Sequence, residues 1–485
     1  MKFAADITYA GSTLRGAAPS GGALLVLDAL EADGLEAWLV GGWVRDALMG
    51  IASHDIDICC SGSWEQNADA LHSHGIDVIE SGTKFGGITA VVDGERIEVT
   101  AYRLDGFYSD GRHPEQVVQA SCVEEDLARR DFTVNAMAWH PRRGLLDCYD
   151  GCGDIERRVI RAVGDPRHRF EEDALRMLRA VRFACRLDFV IEEQTARALA
   201  ECASLLDQVA RERVGTELNG ILLTRRGGDA LLRYPELMCA AVPELAASRG
   251  FDQRTKYHAF DVYDHVARVL TVAGELSGFC IDGGNPAVPV SASLMWAALL
   301  HDIAKPDMFT VDENGCGHFY GHPGRGAKVA HDIMRRLSCN NELIRDACLL
   351  IRYHDMPLRP ERESLLRMMQ RMAGEGVDTS RLMDELFDLK RADTLGKAPS
   401  CFYYVEDIER MRAMTHELIV QGEAYSIKTL DLTGGDLIAA GMTPGRQIGE
   451  ALKQALEGTL RGEVPNRRAD LLVYVGLGAP EMGDE

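Results

Sequence analysis

The chain has 485 residues, a formal net charge of −22, and 46% apolar against 26% charged residues. At roughly 100–200 residues per domain, that length implies three or four domains with cores large enough to fold without disulfides, which excludes a single short binding module. No apolar run reaches the roughly 18 residues that span a bilayer, and 13 scattered cysteines without a Cys-x-x-Cys spacing fit reduced thiols better than disulfides or zinc.

Asp6 falls where a signal peptide needs its apolar centre, so a cytoplasmic protein with no membrane partner is expected. Residues 20–33 read as a helix. Residues 36–40 read as a strand ended by Gly41-Gly42, and residues 44–49 as a helix stopped by Gly50. Residues 55–60 alternate and read as a strand. Residues 87–92 and 96–103 read as a strand pair joined by the turn Asp93-Gly94. After Gly164 the texture changes. It is helical from Phe170 to about Leu223, and helical again to the C-terminus, with breaks at 283–289, 357–360 and 441–445. The expected fold class is α+β, a head of mixed sheet and helices followed by all-α domains. Residues 157–186 hold nine arginines against four acids, a local charge of +5 in an acidic chain. A strip of that kind suits a nucleic-acid phosphate backbone, whatever the total charge.

Asp55 and Asp57 lie two apart on a predicted strand and so share a face. Paired carboxylates offer the oxygen ligands that Mg²⁺ takes. Glu98, on a nearby predicted strand, is the best third carboxylate. Two metals held there would activate an attacking hydroxyl and stabilise a leaving pyrophosphate. Upstream, Gly41-Gly42 opens a helix whose first N–H groups favour an anion, and Arg45 lies one turn in, where it can reach a phosphate.

The run Leu39-Val40-Gly41-Gly42-Trp43-Val44-Arg45-Asp46, followed by Asp55-Ile56-Asp57, resembles the signature of the polymerase-β-type nucleotidyltransferases. More closely, it resembles the bacterial class II CCA-adding tRNA nucleotidyltransferase and poly(A) polymerase family. Residues 129–137 resemble that family's second motif, residues 147–151 its head-to-neck hinge, Glu172-Asp173-x-x-Arg176 its nucleotide-reading motif, and 211–217 the next neck motif. Residues 110–114 resemble its flexible loop, and residues 432–445 with Asn466 its C-terminal helical segment. The resemblance implies Gly42, Arg45, Arg130, Asp173, Arg176, Arg179 and Arg182 as nucleotide-binding residues, with tRNA, CTP and ATP as partners. Ala174 departs from the pattern, standing where the family commonly has proline.

Asp173 and Arg176, three apart on a predicted helix, read as neighbours. A carboxylate accepts hydrogen bonds and a guanidinium donates them. Cytosine and adenine each present an amine beside a ring acceptor, whereas uracil and guanine present the reverse. One acid–arginine pair can therefore accept CTP and ATP and refuse UTP and GTP. Arg179 and Arg182 continue at spacing three, each step drifting about 60° around the helix, so Arg182 turns nearly opposite to Asp173.

Further on, His301-Asp302 ends an apolar helix, with His265 36 residues before His301 and Asp393 91 residues after Asp302. Such donors suit a divalent metal. His318, His322 and His354 add candidates for a second one. The ordered set resembles the HD phosphohydrolase domain in the version fused to bacterial tRNA nucleotidyltransferases. That resemblance implies metal-dependent phosphatase or 2′,3′-cyclic phosphodiesterase activity. The expected division is a head over 1–155, a helical neck and body over 156–255, an HD domain over 256–400 and a tRNA-contacting tail over 401–485.

The leading expectation is template-independent addition and repair of a tRNA 3′-terminal CCA. A poly(A) polymerase or an A-adding enzyme stands beside it in the same class, and an HD nucleotide phosphohydrolase in another. A non-catalytic RNA-binding protein is disfavoured by the acidic charge and the intact metal carboxylates.

Overall fold

The computed structural model describes residues 7–9, 12–14, 18–53, 55–80, 83, 86–105, 117–276 and 291–477. The loops expected at 110–114 and 283–289 lie outside the described residues. The described chain forms two compact units. One comprises residues up to 226 with 230–243, and the other comprises 227–229, 244–276 and 291–477.

The first unit is built on a seven-stranded mixed sheet. Its order is Gly144–Asp147, Met137–His140, Ala37–Val40, Asp57–Cys60, Glu95–Ala101, Gly87–Val92, Asp77–Ile79. All neighbours are antiparallel except Asp57–Cys60 and Glu95–Ala101, which run parallel. The Gly87–Val92 and Glu95–Ala101 hairpin turns at Asp93-Gly94 with positive φ at both residues, the backbone that matches strand twist. Side chains alternate across the sheet. Leu39 and Ile58 join the core made with Val26, Leu27 and Leu30 of helix Gly21–Ala32. Trp38, Val40 and Cys59 face the other way, against Leu127 of helix Val123–Ala128.

The strand expected from Asp55 starts two residues later, at Asp57. Asp57 pairs with Val40, the last residue of its neighbour, after which Gly41 turns away at φ 74° to open helix Gly42–Met49. On that side Asp55 has no strand residue opposite it. The alternation nonetheless continues, with Asp55 exposed, Ile56 buried and Asp57 half-buried.

Helices Pro166–Glu172, Leu175–Leu187, Glu193–Cys202 and Arg211–Leu222 follow in the same unit. The second unit packs helices Val262–Leu276, Ala292–Leu300, His322–Arg336, Asn341–Tyr353 and Thr379–Gly396 together. Ser291 caps the second of these by accepting from Leu294 N, and every residue from Ser293 to Leu300 is buried. A small hairpin, Thr310–Val311 with Gly317–His318, interrupts the expected all-helical texture. The terminal segment is helical, and Asn466 stitches it by bonding the Gly422 and Thr429 carbonyls and the Asp431 amide. Among the described residues no helix is long and apolar enough to cross a membrane.

Candidate active site

The sheet register determines how the acids meet. Asp57 and Glu98 are direct partners across the one parallel strand pair, so their side chains emerge side by side on one face. Asp55 approaches from the segment just before. Burial, then Glu98 and then Asp55 push the Asp57 carboxyl up to about 6, with Arg130 pulling the other way. A carboxyl whose ionisation is opposed by burial and by two neighbouring acids fits a divalent cation, which would relieve that cost.

Arg130 reaches the same place. A Cβ added to Gly41 would sit 3.0 Å from Arg130 Nη1 and 3.8 Å from Asp57 Oδ2, so only glycine leaves this approach open. Arg130 is aimed by Asp126, a residue that no motif singles out. Asp126 is wholly buried and accepts from Arg130 Nη2 at 3.2 Å and from Arg129 Nη2 at 2.6 Å. Burial alone would raise its carboxyl, but Arg129 and Arg130 hold it below the usual range.

Arg45 is only 3% exposed. It bonds Asp46 through Nε and Nη2 and Asn135 Oδ1 at 2.6 Å through Nη1. Its first task is thus to tie the Gly42–Met49 helix to the 129–137 segment. Gly42 lies over it, its added Cβ 3.6 Å from Arg45 Nη2. Asp131 in that segment accepts Arg179 through two donors at 2.9 and 2.7 Å. At the hinge, Asp147 accepts the amides of Gly151 and Cys152.

The expected helix through Asp173 and Arg176 is broken. Asp173 lies between helix Pro166–Glu172 and helix Leu175–Leu187 in extended conformation, φ −145°. Its carboxylate accepts from Leu175 N at 3.0 Å and from Arg213 Nη2 at 2.9 Å. Arg176 bonds Glu172 Oε2 at 2.5 Å and the Arg169 and Arg129 carbonyls. The break arises because the Asp173 side chain takes the Leu175 amide, acting as a cap. Ala174 sits at φ −61°, the angle proline would impose, so the family's usual residue would fit this backbone. Arg182 bonds Glu217 Oε2 at 2.5 Å. Arg213 and Glu217, noticed in the sequence only as parts of a motif, thus hold Asp173 and Arg182 from one helix.

In the second unit His265, His301, Asp302, His322, His354 and Asp393 converge, each at most 6% exposed. His265, His301 and Asp302 form one group of donor atoms, and Asp302, His322 and His354 form another, so that Asp302 is common to both. Asp393 Oδ1 lies 3.1 Å from His265 Nε2. All four histidines direct Nδ1 at a backbone carbonyl, of Gly396, Ala298, Phe319 and Ile351 respectively. That contact makes Nδ1 the donor and leaves each Nε2 lone pair facing inward, the form a metal requires. Both Asp302 oxygens are buried without a well-formed hydrogen bond, although Lys305 Nζ lies 2.7 Å away. This orphaned carboxylate fits a pair of divalent ions.

Burial would raise the carboxyls of Asp302 and Asp393. The ammonium groups of Lys305 beside the first and of Lys397 beside the second hold them well below the carboxylate range. Burial pushes His265 and His354 down. His318 lies elsewhere, its Nε2 3.0 Å from Asp312 on the small hairpin. Sequence reading also passed over Lys390. Its buried ammonium donates to the His354 and Met356 carbonyls at 2.6 and 2.8 Å and fixes the turn that carries His354.

Residues 37–161 match the family described as poly(A) polymerase head domain. Residues 188–248 match the family described as "Probable RNA and SrmB-binding site of polymerase A", and residues 325–475 match the one described as "tRNA nucleotidyltransferase domain 2 putative". The CCA-adding enzyme of Pediococcus pentosaceus is 40% identical over 236 residues, 48% of this chain and 58% of that one. The CCA-adding enzyme of Enterococcus faecalis is 28% identical over 93% of this chain and 94% of its own. Among solved structures, the Bacillus stearothermophilus CCA-adding enzyme in complex with CTP superposes with a TM-score of 0.65 at 25% identity, covering 95% of this chain and 97% of that one. The Thermotoga maritima CCA-adding enzyme complexed with tRNA shares the fold at 0.56 and 21% identity, over 93% and 94%.

The raised Asp57 carboxyl has a pH consequence. Its proton is held more tightly in the fold than in the unfolded chain. The stabilisation this gives is complete below the unfolded value of 3.8 and is lost as pH rises through about 6. Above that pH the ionised trio costs stability that a divalent cation can restore. Added Mg²⁺ should therefore raise the melting temperature of the wild type relative to Asp57→Asn at about pH 8, and raise it far less at about pH 5. Equal shifts at both pH values, measured by thermal melting, would rule out proton–cation competition at Asp57.

Proposed function

The chain belongs to the bacterial CCA-adding tRNA nucleotidyltransferase and poly(A) polymerase family, and from that premise we propose that it adds and repairs the 3′-terminal CCA of tRNA from CTP and ATP. The observation that carries the reading is the in-register pairing of Asp57 with Glu98 beside Asp55, at the mouth of a glycine-opened helix.

Asp55, Asp57 and Glu98 would hold Mg²⁺. When bound there, it supplies the charge that activates the tRNA 3′-hydroxyl and stabilises the leaving pyrophosphate. The chain's own groups do the remainder. The amides opening helix Gly42–Met49 and the Arg130 guanidinium receive the triphosphate. Asp126 keeps Arg130 from swinging away. Asp173 and Arg176, flanking the break before helix Leu175–Leu187, offer an acceptor and a donor to the Watson–Crick edge that cytosine and adenine share. The arginine-rich stretch around them positions tRNA phosphates. The cytoplasm is the compartment this reading implies.

A second activity follows from the histidine–aspartate cage in the other unit. With Asp302 orphaned between two sets of inward-facing nitrogens, the cage is read as a divalent-metal phosphohydrolase acting on phosphoesters of RNA ends or nucleotides.

Asp57→Ala should lower nucleotide addition by on the order of a hundred-fold or more while tRNA affinity stays within several-fold, because the acids serve the chemical step. Addition close to wild type, measured by gel, would remove the trio from the mechanism. Arg176→Ala should narrow the preference for CTP and ATP over UTP and GTP. An unchanged ratio, with all four nucleotides slowed alike, would end the template reading. A folded His301→Ala/Asp302→Ala protein should lose hydrolysis of 2′,3′-cyclic phosphates and keep CTP and ATP addition within several-fold. Wild-type protein that cleaves no phosphoester with any added divalent metal would leave the cage a structural element.

A further inference from the structure

One aromatic ring in the first unit has an unusual environment. Phe183, on helix Leu175–Leu187, is 7% exposed and has three guanidiniums stacked about it. The carbons of Arg45, Arg179 and Arg182 lie 5.3, 5.4 and 4.7 Å from its centroid. Its edge meets Phe132 of the 129–137 segment, centroids 5.9 Å apart at 76°. Three like charges around one ring repel each other, and each is neutralised by a different acid. Arg45 is paired with Asp46, Arg179 with Asp131 and Arg182 with Glu217.

These pairs join into one continuous chain. Arg45 bonds Asn135, Asn135 bonds Asp131, Asp131 holds Arg179, and Glu217 lies 3.9 Å from Arg179 while it bonds Arg182. The chain starts on the helix that opens toward the triphosphate. It ends on helix Arg211–Leu222, whose Arg213 holds Asp173. Gly220 on that helix makes room for the arrangement, since a Cβ there would fall 2.5 Å from Arg182 Cδ. A partly desolvated ring attracts cations through the negative charge of its face, and the attraction fixes their spacing.

We propose that Phe183 is a positioning residue of the nucleotide site. Its ring holds Arg45, Arg179 and Arg182 in register, so that the phosphate-binding end and the base-reading end of the site keep a fixed separation. The inference rests on the nucleotidyltransferase reading of this unit. It adds that nucleotide selectivity depends on the electron density of a ring that carries no charge and lies behind the arginines.

The test replaces Phe183 in the full-length protein with phenylalanines bearing one, two and three ring fluorines. These keep the shape while draining the face of negative charge. Melting temperature should stay near wild type. The kcat/KM for CTP and ATP should fall stepwise, by on the order of ten-fold at three fluorines, and the ratio of correct to incorrect nucleotide should fall with it. Phe183→Tyr, which keeps an electron-rich ring, should retain the ratio, and Phe183→Leu should lose it. A flat fluorine series, or a Tyr variant as unselective as the Leu variant, would overturn the proposal. Wild-type protein that adds no nucleotide would instead overturn the reading on which it rests.

Discussion

Two carboxylates are forced together by strand register, and the rest of the first unit answers that constraint. Asp57 and Glu98 cannot part without breaking the single parallel strand pair in the sheet, whose hydrogen bonds lie over a buried core. With Asp55 beside them, the fold concentrates negative charge where burial already disfavours it. Such an arrangement costs stability unless cationic partners compensate. Gly41 turns the chain aside at that point, and Arg130 fills the space a side chain would have taken. Asp126, at the base of the site, takes the full cost of burial and returns it as a fixed direction for Arg130. Removing one member of a buried pair leaves the other uncompensated, typically about 3–5 kcal/mol, so these residues behave as a set.

The same logic of paired charge extends along the nucleotide-reading side. All five arginines implied in nucleotide binding are engaged by acids of the protein, Arg45 by Asp46, Arg130 by Asp126, Arg176 by Glu172, Arg179 by Asp131 and Arg182 by Glu217. Held in this way, a guanidinium has little freedom left to lose, so under the proposed function recognition would rest on fixed geometry and not on selection from a flexible set. In the second unit the ordering is similar. Four backbone carbonyls, one for each histidine, orient the rings toward the interior of the cage.

Much of this was legible in the sequence. The alternation at 55–60, the glycine pair and the Asp-Gly turn located four strands and the acids they carry, because those patterns are local. What was not legible depends on partners distant in the chain. Nothing near Asp57 tells that its strand starts there, because a ladder's first rung is set by partners elsewhere in the chain, here Val40 on one side and Glu98 on the other. Spacing alone placed Asp173 and Arg176 on one helix. The Asp173 side chain instead takes the Leu175 amide, and Arg213, 40 residues on, takes the carboxylate. Asp126 follows Glu124 and Glu125 in the sequence, and only the fold reveals it as buried. His318 and His322 were equivalent by composition. The left-handed Gly321 that caps helix His322–Arg336 turns the second inward, while the first stays on the hairpin with Asp312.

The central claim is that the acid trio and the base-reading side chains together add a defined trinucleotide. It is tested most directly by incubating the full-length protein and Mg²⁺ with a tRNA lacking its CCA, in the presence of all four nucleoside triphosphates, and sequencing the 3′ ends. The account predicts C, C and A added in that order, termination after the third residue, and no addition once divalent cations are chelated. An open-ended adenosine tail, addition of A alone, incorporation of U or G, or extension that survives chelation would contradict it.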